Sequence, residues 1–167
     1  MSAGGRQPGP AGEANEAVAR LLETALVDPV VGVGVDAVDL HRLRRVLDRR
    51  ANMATRLFTG GELAYARSAA DPVPRLSTRF AAKEATMKAL GVGLGAFPFV
   101  DVEVVRVGLD APHLVLTGAA QELARKAGVA RWHLSLTHTD QVAIAFVVAE
   151  GSGVGDDGSV AGRSQRP

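Results

Sequence analysis

Glu84 and Lys88 lie four residues apart in Arg79-Phe80-Ala81-Ala82-Lys83-Glu84-Ala85-Thr86-Met87-Lys88-Ala89-Leu90. Alanine, leucine, lysine and glutamate dominate this stretch, and no glycine or proline interrupts it, so it predicts one helix. Gly91 stops it. At a spacing of four, both side chains leave one face about a turn apart. Phe80, Met87 and Leu90, with the alanines, supply an apolar face for a core. A carboxylate beside an ammonium at the margin of a buried face can hold a metal ion and a phosphate. Alone, the pair is also what an ordinary solvated helix shows, worth roughly 0.2–0.5 kcal/mol. Partners from elsewhere in the chain must decide between the two.

Asp36 is the first such partner. Val30 to Val35 predicts a strand with Val31, Val33 and Val35 on one face and Gly32 and Gly34 on the other. A glycine face lets another element approach closely. Asp36 follows at the predicted strand end, where it suits a hard cation or caps the next helix. Asp39 is the rival carboxylate for that cap. His138 falls in the link His138-Thr139-Asp140-Gln141 between predicted strands Arg131–Thr137 and Val142–Val148, which favours an antiparallel hairpin. Gly91-Val92-Gly93-Leu94-Gly95 is either a plain turn or a loop whose amides hold phosphate. Two carboxylates, a lysine and glycine loops suit Mg²⁺ and a polyphosphate substrate. Other chemistries lack their signatures. Gly32-Val33-Gly34 is followed by Asp36-Ala37, not by the third glycine of a dinucleotide fold. There is no H-E-x-x-H zinc motif and no G-x-S-x-G elbow. Ser135 sits inside a strand without an obvious base.

The elements that must position these groups follow in order. Residues 1–12 are glycine, proline and small polar residues, expected to be disordered. Val18, Leu21, Leu22 and Ala25 repeat at helical spacing, giving a short amphipathic helix within a 1–29 extension. His41–Arg50 predicts a basic amphipathic helix, with Leu40, Leu43 and Leu47 on its apolar side. Thr59 and Glu62 stand in capping-box position. That helix breaks by Asp71-Pro72-Val73-Pro74, and Leu76 opens the central one. Val100, Val102 and Val104 alternate with Asp101 and Glu103 as a strand whose valines face inward. His113–Thr117 is a further strand, and Gly118–Lys126 a helix. From Gly151 a disordered tail is expected. Strands cluster instead of alternating with helices, so the fold class is α+β. Residues 30–150 form the one domain.

Composition narrows the partners. The 167 residues are 47% hydrophobic and carry a formal charge of +1, enough core for one domain and no overall attraction to nucleic acid. The absence of cysteine rules out a disulfide scaffold, a thiolate nucleophile and thiolate-bound metal. No apolar run approaches a membrane span, and no signal-peptide stretch opens the chain, so a cytoplasmic protein is expected. Two other classes remain open from the residues: a non-enzymatic adaptor that grips an acidic protein with the arginine helix, and a basic nucleic-acid-binding domain.

Val33-Gly34-Val35-Asp36, Arg79-Phe80-Ala81-Ala82-Lys83-Glu84-Ala85 and Leu134-Ser135-Leu136-Thr137-His138 together resemble the holo-[acyl-carrier-protein] synthase family. These are the small bacterial 4'-phosphopantetheinyl transferases. The likeness spans about residues 30–150, including Phe99–Val104. It implies an antiparallel sheet packed on the long central helix, in the 4'-phosphopantetheinyl transferase-like fold. It implies a Mg²⁺-dependent enzyme that moves phosphopantetheine from coenzyme A to a serine of an apo acyl carrier protein. Asp36 and Glu84 would be the metal ligands, with Glu84 also steering the serine proton. Lys88 would meet the phosphate and His138 the nucleotide, with Arg79 and Lys83 assisting. Arg42 and Arg45, with Arg49 behind them, would face the acidic carrier protein. A homotrimer with sites between subunits is implied as well. Three departures stand out: the extension before Val30, Val92 where threonine is common, and Ala111 where glycine precedes Pro112. The extension leaves open a specialised carrier protein, for example in polyketide instead of fatty acid synthesis, or an altered trimer packing.

Overall fold

The computed structural model describes residues 29–152 except 51 and 109. The expected helix around residues 18–25 lies outside the described residues, as does the tail beyond 152. Elements run β1 (Val30–Asp39), α1 (Leu40–Arg49), α2 (Met53–Leu57), α3 (Gly60–Arg67), α4 (Val73–Ala89), a 3-10 turn (Phe99–Asp101), β2 (Val102–Val105), β3 (His113–Leu116), α5 (Gly118–Lys126), β4 (Val129–His138) and β5 (Val142–Gly151). Strands β1, β5 and β4 form one antiparallel sheet in that order, and β2 pairs with β3 in a second. Helix α4 lies across β1 and β5. The expected α+β architecture is what the chain adopts.

The glycines of β1 explain how α4 seats. A Cβ on Gly34 would stand 1.8 Å from the Ala85 carbonyl oxygen, and one on Gly32 would stand 1.9 Å from that of Ala89. Strand and helix therefore meet backbone to backbone, with Ala81, Ala82, Ala85 and Ala89 buried along the helix. The opposite face of the sheet is apolar and open: Val33 is 51% exposed, Phe146 44% and Ile144 39%, with Val31 and Val35 beside them.

Several boundaries differ from the sequence reading, among them the end of β4, which takes in His138 instead of leaving it in the link. β1 continues to Asp39, which places Asp36 within the strand instead of at its end. Helix α4 opens at Val73, because Pro72 and Pro74 occupy its first turn, where a missing amide costs nothing. Val100 lies in the 3-10 turn and is exposed, while Val102 and Val104 are buried as expected. Gly151 closes β5 and is buried, so the strand runs into the segment read as tail. At the end of α4, Gly91 takes φ +67°. Gly91 N–H donates to Lys88 O and Val92 N–H to Met87 O, the paired bonds of a Schellman stop.

Lys83 is fully buried. Its ammonium pairs with Glu62 Oε2 at 2.8 Å and donates to the carbonyls of Phe99, at 2.9 Å, and Val102. Glu62 completes the capping box, accepting from Thr59 N–H while its own amide donates to Thr59 Oγ1. Its Oε1 also accepts from Val104 N–H. One ion pair thus ties α3, α4, the 3-10 turn and β2 together. Severing it would strand a buried charge, a loss of about 3–5 kcal/mol. This corrects the expectation that Lys83 reaches phosphate: it is committed to the core.

Candidate active site

Gly32 and Gly34 of β1 face α4, and the same parity aims Asp36 at the helix. The close seating brings it to Lys88 and Glu84. Lys88 Nζ donates to Asp36 Oδ1 at 2.8 Å and to the Val35 carbonyl at 2.9 Å. The Asp36 side chain is only 12% exposed. Burial pushes the Glu84 carboxyl up to about 7, and hydrogen bonding to Asp36 and its charge push the same way. Lys88 and Arg42 oppose that rise. Two carboxylates crowded together resist double ionisation unless positive charge arrives between them.

Asp36 Oδ2 is buried and accepts no hydrogen bond. An unpartnered anionic oxygen beside a second carboxylate suits a hard divalent cation. Such an ion takes one or two carboxylates and fills its shell with water and phosphate oxygens. Among the described residues no group of three or more His, Cys, Asp or Glu side chains converges. A cation held here would therefore depend on Asp36, Glu84 and oxygens from substrate or solvent. The residues fit Mg²⁺ in that mode.

A cleft of about 410 Å³ opens beside Glu84, lined by Leu43, Val46, Met53, Leu57 and Phe80, with Arg42 and Asp39 at its margin. Asp39 proves to be the cap of α1: its Oδ1 accepts from Arg42 N–H at 2.7 Å. The buried Leu40 and Leu43 fix the helix on the core and turn Arg42, Arg45 and Arg49 outward at spacings of three and four. Arg44 departs from this set and pairs with Asp71 at 2.6 Å.

Arg79 and His138 meet in a different cleft, of about 540 Å³, which Asp36, Glu84 and Lys88 do not line. Helix geometry accounts for the division: five residues of rotation place Arg79 about 140° around α4 from Glu84. The anticipated site residues therefore divide between two regions of one chain. The sequence reading missed Tyr65, Arg75 and Arg106, which line the second cleft. Arg75 was within reach, being four residues before Arg79 on the same helix face. Tyr65 and Arg106 arrive from other elements, and nothing local marks them.

Residues 32–147 match the family model of the 4'-phosphopantetheinyl transferase superfamily. The holo-[acyl-carrier-protein] synthase of Anaeromyxobacter dehalogenans strain 2CP-1 is 44% identical over 128 residues, covering 74% of this chain and 98% of that protein. The one from Frankia alni is 47% identical over 121 residues, covering 72% and 98%. Among solved structures, the holo-[acyl-carrier-protein] synthase of Neisseria meningitidis is 35% identical, with a TM-score of 0.67 over 73% of this chain and 99% of that one. The synthase of Bacillus anthracis, solved in complex with CoA (3',5'-ADP), is 32% identical, with a TM-score of 0.61 over 74% and 98%. The family model takes in the strand with its glycine face, the R-F-A-A-K-E-A helix and the histidine-ended hairpin, and the chain belongs to the holo-[acyl-carrier-protein] synthase family of the 4'-phosphopantetheinyl transferase superfamily.

Proposed function

We propose that this protein transfers the 4'-phosphopantetheine of coenzyme A to a serine of an apo acyl carrier protein, releasing adenosine 3',5'-bisphosphate. The observation that carries this reading is Asp36, held by Lys88 through Oδ1 and set beside Glu84, with its Oδ2 buried and outside that ion pair. It lies in a chain that spans 98% of its synthase relative from Anaeromyxobacter dehalogenans.

Asp36 and Glu84 are the ligands we assign to Mg²⁺, which when bound draws charge from the phosphoryl oxygens. Lys88 exchanges part of its contact with Asp36 for a phosphate oxygen and shares that charge. Glu84 takes the serine proton, directly or through a water, as the serine oxygen bonds to the β-phosphorus. The pyrophosphate bridge breaks, and its oxygen leaves with the bisphosphate. A carboxyl poised near 7 is suited to receiving a proton in neutral solution. Arg79 and His138 receive the nucleotide half of coenzyme A, and Arg42, Arg45 and Arg49 receive the carrier protein.

The division of these groups between two clefts supports a homotrimer in which one subunit's Arg79 cleft faces another's Asp36 and Glu84. The open apolar face of β1 and β5 is the surface we assign to that contact. Among the described residues no helix is long and apolar enough to cross a membrane. The lack of cysteine suits a cytoplasmic site, which belongs to the same proposal.

Intact-protein mass spectrometry tests the reading. An apo carrier protein should gain the phosphopantetheine mass only with enzyme, coenzyme A and Mg²⁺ together. No gain across a panel of fatty acid and polyketide carrier proteins would refute it. In the same assay, Arg45→Glu with Arg49→Glu should raise the KM for carrier protein about tenfold or more. The KM for coenzyme A should stay within about twofold, since neither arginine lines either cleft.

A further inference from the structure

Tyr65, the chain's single tyrosine, stands on α3 at the wall of the Arg79 cleft. The Arg79 guanidinium lies 4.1 Å from the centre of its ring, and that of Arg75 lies 4.6 Å away. Like charges so close repel, and the electron-rich ring face offsets that repulsion. Arg75 is held further by the Tyr65 carbonyl at 2.8 Å and Ser68 Oγ at 2.6 Å. Arg79 donates through Nη1 to the Arg75 carbonyl at 3.1 Å. A third guanidinium, Arg106, comes from the β2–β3 connection, where its Nε donates to the Asp110 carbonyl at 3.2 Å. Burial by itself would raise the Tyr65 phenol. Hydrogen bonding by Arg106, with the charges of Arg79 and Arg75, outweighs it and holds the phenol below its usual range.

A second observation points to an anionic ligand. Arg79 is 3% exposed, and its Nε is buried with no acceptor. Three guanidiniums face His138 across this cleft, against the single carboxylate of Asp110 among its described lining residues. A phosphate monoester dianion matches that excess and accepts from several N–H groups at once.

We infer that Tyr65 is a positioning residue that gathers Arg75, Arg79 and Arg106 into one wall selective for a nucleotide bearing a phosphate monoester. This rests on the placement of the nucleotide half of coenzyme A proposed above. Its function is therefore discrimination: it makes the enzyme prefer coenzyme A over 3'-dephospho-coenzyme A without touching the reacting phosphorus.

Steady-state transfer with the two co-substrates tests this on the full chain. Tyr65→Leu should raise the KM for coenzyme A about tenfold. The KM for the dephospho form should change less than about twofold, with kcat and the KM for carrier protein held. Tyr65→Phe keeps the ring against Arg75 and Arg79 but loses the hydroxyl that bonds Arg106, and should restore part of the preference. Equal losses for both co-substrates, or a Phe variant as impaired as Leu, would overturn the role. Should the Leu variant fold poorly, Arg106→Gln, on an exposed loop, should still erode the preference about fivefold, and an unchanged ratio there overturns the wall. Arg79→Gln separates the two levels. If it leaves the KM for coenzyme A unchanged, the nucleotide placement itself is wrong; if it raises that KM while Tyr65→Leu does not, only the role of Tyr65 fails.

Discussion

Glu84→Gln should lower phosphopantetheine transfer by about 10³-fold or more while coenzyme A still binds through the Arg79 cleft. The amide keeps the size of the side chain but neither accepts the serine proton nor binds a cation as a carboxylate does. The pH dependence makes the test specific. In the wild type the Glu84 carboxyl is pushed up to about 7, so transfer under limiting Mg²⁺ should rise with pH through that value. Because Mg²⁺ competes with the proton, raising its concentration should move the midpoint downward. Stability runs the other way. The folded pKa lies above the ordinary value of 4.5, so the folded state holds the proton longer than the unfolded chain. Stability from this group is therefore full below about 4.5 and is lost as pH rises to about 7. Glu84→Gln should abolish that decline and be the more stable protein near pH 8. Mg²⁺ should raise the wild-type Tm above pH 7 and leave the variant's unmoved. Scanning calorimetry over pH and Mg²⁺, beside the mass assay, checks all of this. A variant that keeps its Mg²⁺-dependent Tm would remove Glu84 from the proposed metal site.

What the sequence made legible here is what depends on short periodicities. Gly32, Gly34 and Asp36 share a strand face because side chains alternate, and Glu84 and Lys88 share a helix face because four residues make about one turn. The R-F-A-A-K-E-A stretch named the family. What escaped depends on the third dimension. Lys83 is adjacent to Glu84 in sequence, yet a single helical step rotates it about 100°, away from Asp36 and into the core toward Glu62. The capping box marked Glu62, but nothing in that motif says its carboxylate also serves Lys83 and Val104. Arg79 was grouped with Glu84 by proximity along the chain, and the same rotation puts it in another cleft. Pro72 and Pro74 read as a break because proline ends helices more visibly than it begins them. Tyr65 shows the limit most plainly: its guanidinium partners come from two separate elements besides its own helix, so no window on the sequence contains them.

Gly34→Ala should cost about 3 kcal/mol or more of stability and reduce transfer beyond what unfolding explains. The added methyl carbon would sit 1.8 Å from the Ala85 carbonyl oxygen and 2.8 Å from both the Ala85 carbonyl carbon and the Ala89 nitrogen. Ordinary carbon–oxygen contact needs more than 3 Å, so β1 and α4 must part by more than an ångström. Backbone atoms make the obstacle, and no rotamer change relieves it. Trimming the neighbour as well, in Gly34→Ala with Ala85→Gly, should therefore rescue little, because the carbonyl stays where it was. Gly60→Ala is the matched control. A Cβ there meets nothing within 4 Å, and the residue opens α3, so alanine should be neutral or slightly stabilising. Urea unfolding of the four proteins orders these effects. The functional loss follows from the same displacement. Asp36 is two residues beyond Gly34 on the same face, so moving β1 off α4 pulls Asp36 from Lys88 and Glu84 together. Folded Gly34→Ala protein, assayed well below its midpoint, should then need more Mg²⁺ for half-maximal transfer. If it instead transfers normally once folded, the backbone contact serves stability alone, and the spacing of the two carboxylates must be set elsewhere.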